Sequence, residues 1–99
     1  MPVSYNDTMA LRARHRRTLR AVFARPTRAD VEWKDVEQLL LALGAEVGEG
    51  RGSRVRIHLR GVRAVFHRPH PRKEIDKGSL SSLRRFLRAA EVSPESELE

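Results

Sequence analysis

Apolar residues recur along this chain with two different periods, and the switch between them marks out its elements. From Thr8 to Ala24 the spacing is helical, but the apolar stripe is thin: Leu11, Leu19, Val22 and Phe23, with His15 filling the gap on that face. Asn6, Asp7 and Thr8 are candidate caps, and Pro26 ends the segment by pushing the residue before it out of the α region. A helix with so little apolar surface either docks weakly or binds something acidic. A second helix is predicted from Trp33 to Leu43, where Val36, Leu39, Leu40 and Leu43 share one face and Trp33 extends it backwards. Glu32, Asp35 and Glu37 complement the helix dipole at its start, and Gly44 supplies the left-handed residue that closes it.

After Gly44 the period becomes two. Ala45 to Gly48 predicts a short strand, and Glu49-Gly50-Arg51-Gly52 a loose turn. Val55, Ile57 and Leu59 then alternate with Arg54, Arg56 and His58, and the next strand runs from Val62 to His67. Arg60-Gly61 between them is a two-residue hairpin loop with Gly61 at positive φ. That turn sets Leu59 opposite Val62, Ile57 opposite Ala64 and Val55 opposite Phe66, all on one apolar face. The other face carries Arg54, Arg56 and His58 against His67, Val65 and Arg63.

Residues 68–78, with Pro69 and Pro71, read as a loop, because proline denies a strand its ladder bonds. Ser79 caps a last helix that runs to about Val92, with Leu80, Leu83, Leu87 and Ala90 at helical spacing and Phe86 beside them. The acidic stretch Ser93 to Glu99 is expected to be a disordered tail. The predicted class is therefore α+β, an α-β-β-β-α layer behind an extra N-terminal helix. Its divisions are an arm and arginine-rich helix over 1–30, a domain over 31–92 and a tail over 93–99.

Composition narrows the function. A length of 99 residues supports one core, and 39% hydrophobic with 33% charged residues is the balance of a soluble globular protein. The absence of cysteine excludes disulfides and thiolate metal sites. No apolar run approaches the roughly 20 residues of a membrane helix, and no signal-peptide core is evident, so a cytoplasmic location is expected. Net charge is +7, unevenly distributed. Residues 1–30 carry +5, residues 31–50 carry −4, residues 51–90 carry +10 and the tail 91–99 carries −4. A basic block within a folded segment is the electrostatic footprint of a polyanion ligand.

The order of motifs from Trp33 to Val92 resembles the HicA toxins. The matching residues are the leucine-rich helix ending in Leu43-Gly44, Gly52-Ser53 opening a strand, and Arg68-Pro69-His70-Pro71. The match continues through Lys73-Glu74-Ile75-Asp76-Lys77-Gly78-Ser79-Leu80 into the last helix. The resemblance implies a double-stranded-RNA-binding-like fold, translation-independent cleavage of mRNA, and neutralisation by an acidic HicB-like antitoxin, with no cofactor. HicA toxins usually carry a catalytic histidine at one of the two positions after Gly-Ser, and here Arg54 and Val55 stand there. Either the chemistry has moved to another group, or the chain is a non-catalytic RNA- or DNA-binding module derived from a nuclease.

Metal-free RNA cleavage needs a base for the 2′-hydroxyl and an acid for the leaving 5′-oxygen. Histidine serves either role because its unperturbed pKa is about 6.5. His67, placed across from Arg54, is the leading replacement, and His58 on the same face is the second. Arg54, Arg56, Arg63, Arg68, His70, Lys73 and Lys77 are the expected RNA contacts. His70 fits loop ordering or phosphate contact better than the role of base. His67-x-x-His70 supplies only a pair of metal ligands where zinc needs more, and Gly48-x-Gly50-x-Gly52 precedes a strand rather than a helix, so it is a turn.

Overall fold

In the computed structural model, which describes residues 11–97, both periods become the elements they imply, in the order helix, helix, three strands, helix and a final helical turn. Helix α1 (Ala13–Phe23) starts later than its periodicity indicates. Leu11 turns into the core, its carbonyl accepts from Arg16 Nη1 at 2.6 Å, and extended Arg12 occupies the N-cap without a side-chain cap bond. The expected caps Asn6, Asp7 and Thr8 lie outside the described residues. The stripe is thin but well used: Leu19 and Val22 are fully buried and His15 is buried beside them.

Helix α2 (Trp33–Ala42) ends as its glycine requires. Gly44 sits at φ 94°, the Ala45 amide donates to the Leu40 carbonyl and the Gly44 amide to the Leu41 carbonyl, the paired bonds of a Schellman motif. Strands β1 (Glu46–Glu49), β2 (Arg54–Leu59) and β3 (Val62–His67) form an antiparallel sheet in that order. The hairpin register is the predicted one, from Leu59 opposite Val62 to Arg54 opposite His67. Arg60 (φ 51°) and Gly61 (φ 82°) are both left-handed, as a type I′ turn demands. Strand β1 is displaced by one residue from its expected span, pairing Glu46 with His58 and Glu49 with Val55.

Helix α3 (Lys77–Ala89) is capped by Asp76 rather than Ser79: Asp76 Oδ1 accepts from the Ser79 amide at 2.7 Å. A carboxylate is the stronger acceptor at a helix start, which explains the displacement. The Ser79 bonds hold the Asp76 carboxyl below its usual range. The preceding loop is more tied than its prolines suggest. Trp33 N donates to Lys73 O and Ile75 N to Val31 O, both at 2.9 Å, which pins the loop to the start of α2 and buries Ile75. Pro94–Glu97 forms a further helical turn, α4, within the segment expected to be disordered.

Helices α2 and α3 cover one face of the sheet. Phe66 of β3 lies between their aromatics, 6.4 Å from the Trp33 ring and 6.1 Å from the Phe86 ring, edge-on to the latter. Helix α1 packs on α2 and α3, so residues 11–22 contribute to the same core. A polar anchor joins them: buried Arg84 donates to Val22 O at 2.9 Å and to Thr27 Oγ1 at 2.9 Å.

Candidate nucleic-acid interface

Among the described residues no helix covers the other sheet face, and alternation fills it with the polar half of each strand. Three cross-strand rows follow from the register: Glu46, His58 and Arg63; Gly48, Arg56 and Val65; then Arg54 and His67. Arg54, Arg56, Arg63 and His67 are exposed and His58 is half-buried. Val65, 54% exposed, is the one large apolar side chain open on this face among the described residues.

The two candidate histidines stand at opposite ends of the face. His58 lies beside Glu46, with Nδ1 3.6 Å from Oε1, too long for a hydrogen bond but close enough for a charge to be felt. Both border a depression of about 550 Å³ together with Arg56, Arg63 and Val65. His67 borders a different depression, of about 230 Å³, shared with His70, Arg72, Asp76 and Ser79. His58 lies four residues along β2 from Arg54, the partner of His67. At roughly 3.3 Å per residue that is about 13 Å, too far for one phosphate to touch both imidazoles.

The remaining expected contacts divide. Arg54, Arg56 and Arg63 lie together on the face, while Lys73 is exposed on the loop before α3 and Lys77 on its first residue. Arg68 is turned to the helix side, one residue beyond outward-facing His67. Its Nη1 and Nη2 meet both carboxylate oxygens of Glu49 at 2.8 Å, and Nη2 is 3.4 Å from Glu37. The Arg68 bonds hold the Glu49 carboxyl below its usual range, and Glu49 raises the Arg68 guanidinium above its own. Among the described residues no group of three or more histidine, aspartate or glutamate side chains comes together.

Sequence reasoning did not single out Glu46, Glu49 or Arg84. Glu46 becomes visible only when the hairpin register is carried across to β1. Arg84 sits four residues after Leu80 and three before Leu87, so helical spacing already places it on the buried stripe.

A family model, that of the HicA toxin of bacterial toxin–antitoxin systems, matches residues 33–92, from the first residue of α2 to just past α3. No curated protein and no solved structure matches the chain. None of the described helices is long and apolar enough to cross a membrane.

Proposed function

Because the chain belongs to the HicA toxin family, we propose that it is the RNA-cutting member of its toxin–antitoxin pair, acting on mRNA in the cytoplasm along the outer face of the sheet. The observation that carries this reading is the pairing of Arg54 with His67. Val55 is fully buried, so of the two positions after Gly52-Ser53 only Arg54 faces outward, and an imidazole stands directly opposite it.

In this reading His67 takes the proton of the ribose 2′-hydroxyl. The 2′-oxygen attacks phosphorus, the bond to the 5′-oxygen breaks, and His70, bordering the same depression, gives that oxygen its proton. The products are a 2′,3′-cyclic phosphate and a 5′-hydroxyl. Arg54 offsets the charge that builds on the phosphoryl oxygens, and Arg56 and Arg63 hold the strand. His58, some distance along the face, contacts RNA rather than sharing the chemistry. Lys73 and Lys77 extend the cationic surface from the His67 end. An acidic HicB-like antitoxin covers this face by charge complementarity and keeps RNA away from it.

The deciding experiment is cleavage of RNA by the purified chain in the presence of a chelator. His67→Ala lowers the rate by about a hundredfold or more with RNA affinity nearly intact, and His58→Ala does less. A second reading, a binding module without catalysis, is favoured by Arg54 standing at the histidine position. Chelator-resistant cleavage absent from wild type, with salt-sensitive RNA binding retained, would establish it.

A further inference from the structure

Arg84 is a buried cation whose acceptors are all neutral. It is 4% exposed and donates to the carbonyls of Val22 (2.9 Å) and Ala24 (3.5 Å) and to the hydroxyls of Thr27 (2.9 Å) and Ser81 (3.1 Å). Burial lowers its pKa from the usual value, and repulsion from Arg25, Arg88 and Arg85 lowers it further. All three are exposed, as is Arg20 in the last turn of α1. Arg88 lies over the Phe23 ring at 5.3 Å, and Arg85 donates to Ser82. No carboxylate among the described residues comes within ion-pair distance of Arg20, Arg25, Arg84, Arg85 or Arg88. Arg20, Phe23, Arg25 and Arg88 border a depression of about 320 Å³, whose acidic lining residue is Glu95.

We propose that Arg20, Arg25, Arg85 and Arg88, gathered around Arg84 where α1 meets α3, form a second phosphate-backbone surface for RNA, on the side of the sheet opposite His67. Like charges held together repel one another in the free protein, and a polyanion laid across them relieves that repulsion. The chemistry favours a nucleic-acid backbone over an acidic protein. Protein interfaces centre on buried apolar anchors, and the large exposed apolar side chains among the described residues, Leu41 and Val65, are both elsewhere. Arginines on α1, on the turn after it and on α3, set around the half-buried Phe23 ring, match a row of phosphates. Helix α1 lies outside the matched residues 33–92, so this surface adds to what the family region supplies. The inference rests on the RNA-binding half of the proposed function and not on cleavage.

The test uses the full chain and a short RNA duplex of mixed sequence, 2′-O-methylated throughout so that it cannot be cut. Affinity is measured from low to moderate salt for wild type, for R20Q/R25Q/R85Q and for R54Q/R56Q/R63Q. At roughly 0.7–0.9 per phosphate contact, the helix-side triple reduces the salt slope by about two to three and weakens low-salt binding about tenfold or more. R20K/R25K/R85K keeps the charge and most of the affinity, which separates lost contacts from a lost fold, and thermal melting of all variants checks the same point. An unchanged slope and affinity in R20Q/R25Q/R85Q would overturn the proposal. So would unchanged RNA binding accompanied by loss of the antitoxin complex, which would make the patch a protein interface. If only the sheet-face triple is silent, the helix-side surface stands and it is the proposed function that fails.

Discussion

Arg54 and His67 are cross-strand partners on β2 and β3, both exposed on the uncovered face of the sheet. The pair joins a fixed cation to a group that can exchange a proton, at the position following Gly52-Ser53. If Arg54 stabilises the charge developing on the phosphate, Arg54→Ala lowers single-turnover cleavage by about a hundredfold, the scale of losing one preorganised donor. Arg54→Lys recovers part of the rate, since it keeps the charge and loses the fork. Cleavage that is untouched by Arg54→Ala yet lost in His67→Ala would mean that another group holds the phosphate.

Arg68 tests the other side of the sheet. Its guanidinium is occupied by Glu49 and Glu37, which favours a role in the fold over the expected contact with RNA. Arg68→Ala is expected to lower the melting temperature while leaving RNA affinity near that of wild type. Because Glu49 titrates lower in the folded chain than in the unfolded one, its contribution is present above the ordinary carboxylate range and lost as pH falls through the lowered value. The stability gap between wild type and Arg68→Ala therefore narrows on acidification, and also in high salt, where exposed pairs are screened. A gap independent of both would show that Arg68 stabilises by packing alone.

The hairpin was fully legible because a two-residue turn with Gly61 second leaves one register, and alternation then fixes every side chain to a face. The end of α2 was legible for a similar reason, Gly44 being the residue that the left-handed position favours. The β1 register was not legible: Gly50 to Ser53 make a longer connection that does not dictate where Glu46 pairs. The separation of His58 from His67 was implicit in the register, but their different surroundings were not. The loop from Arg68 to Asp76 folds back on Val31 and Trp33, a long-range contact with no local signature. Arg84 shows the same limit. Its spacing was apolar, but its acceptors Val22 and Thr27 lie at the end of α1 and in the turn after it, and only the assembled fold brings them together.

The Arg84 anchor gives a stability prediction. Arg84→Met keeps an unbranched apolar stem but removes the guanidinium and leaves the carbonyl of Val22 without its donor in a buried place. Losing several buried bonds of this kind is expected to cost about 2–4 kcal/mol, read as a lowered urea midpoint at unchanged m-value. Arg84→Lys is expected to fall between the two, because one ammonium cannot reach both the Val22 and Thr27 sides. If Arg84→Met is as stable as wild type, the connection between α1 and α3 rests on Leu19 and Val22 instead.

His15 gives the pH dependence. Its ring is buried on the inner face of α1, with Lys34 and Asp35 of α2 bordering the site. Burial lowers its pKa most, and the neighbouring positive charges of Arg14 and Arg12 lower it further. The folded chain thus holds this imidazole neutral where the unfolded chain, with an ordinary value of about 6.5, would protonate it. Folding stability is then full above that ordinary value and declines as pH falls towards the lowered one, because the unfolded state binds the extra proton. His15→Leu, which keeps the buried bulk without a titrating ring, is expected to flatten the stability profile between about pH 5 and 7. Subtracting the variant's profile from that of wild type cancels every contribution that both proteins share. The carboxyls of Asp30, Glu49 and Asp76 are held below their usual range and titrate under this window. Urea unfolding at a series of pH values measures the difference directly, and two parallel profiles would show that His15 is protonated in the folded chain as readily as in the unfolded one.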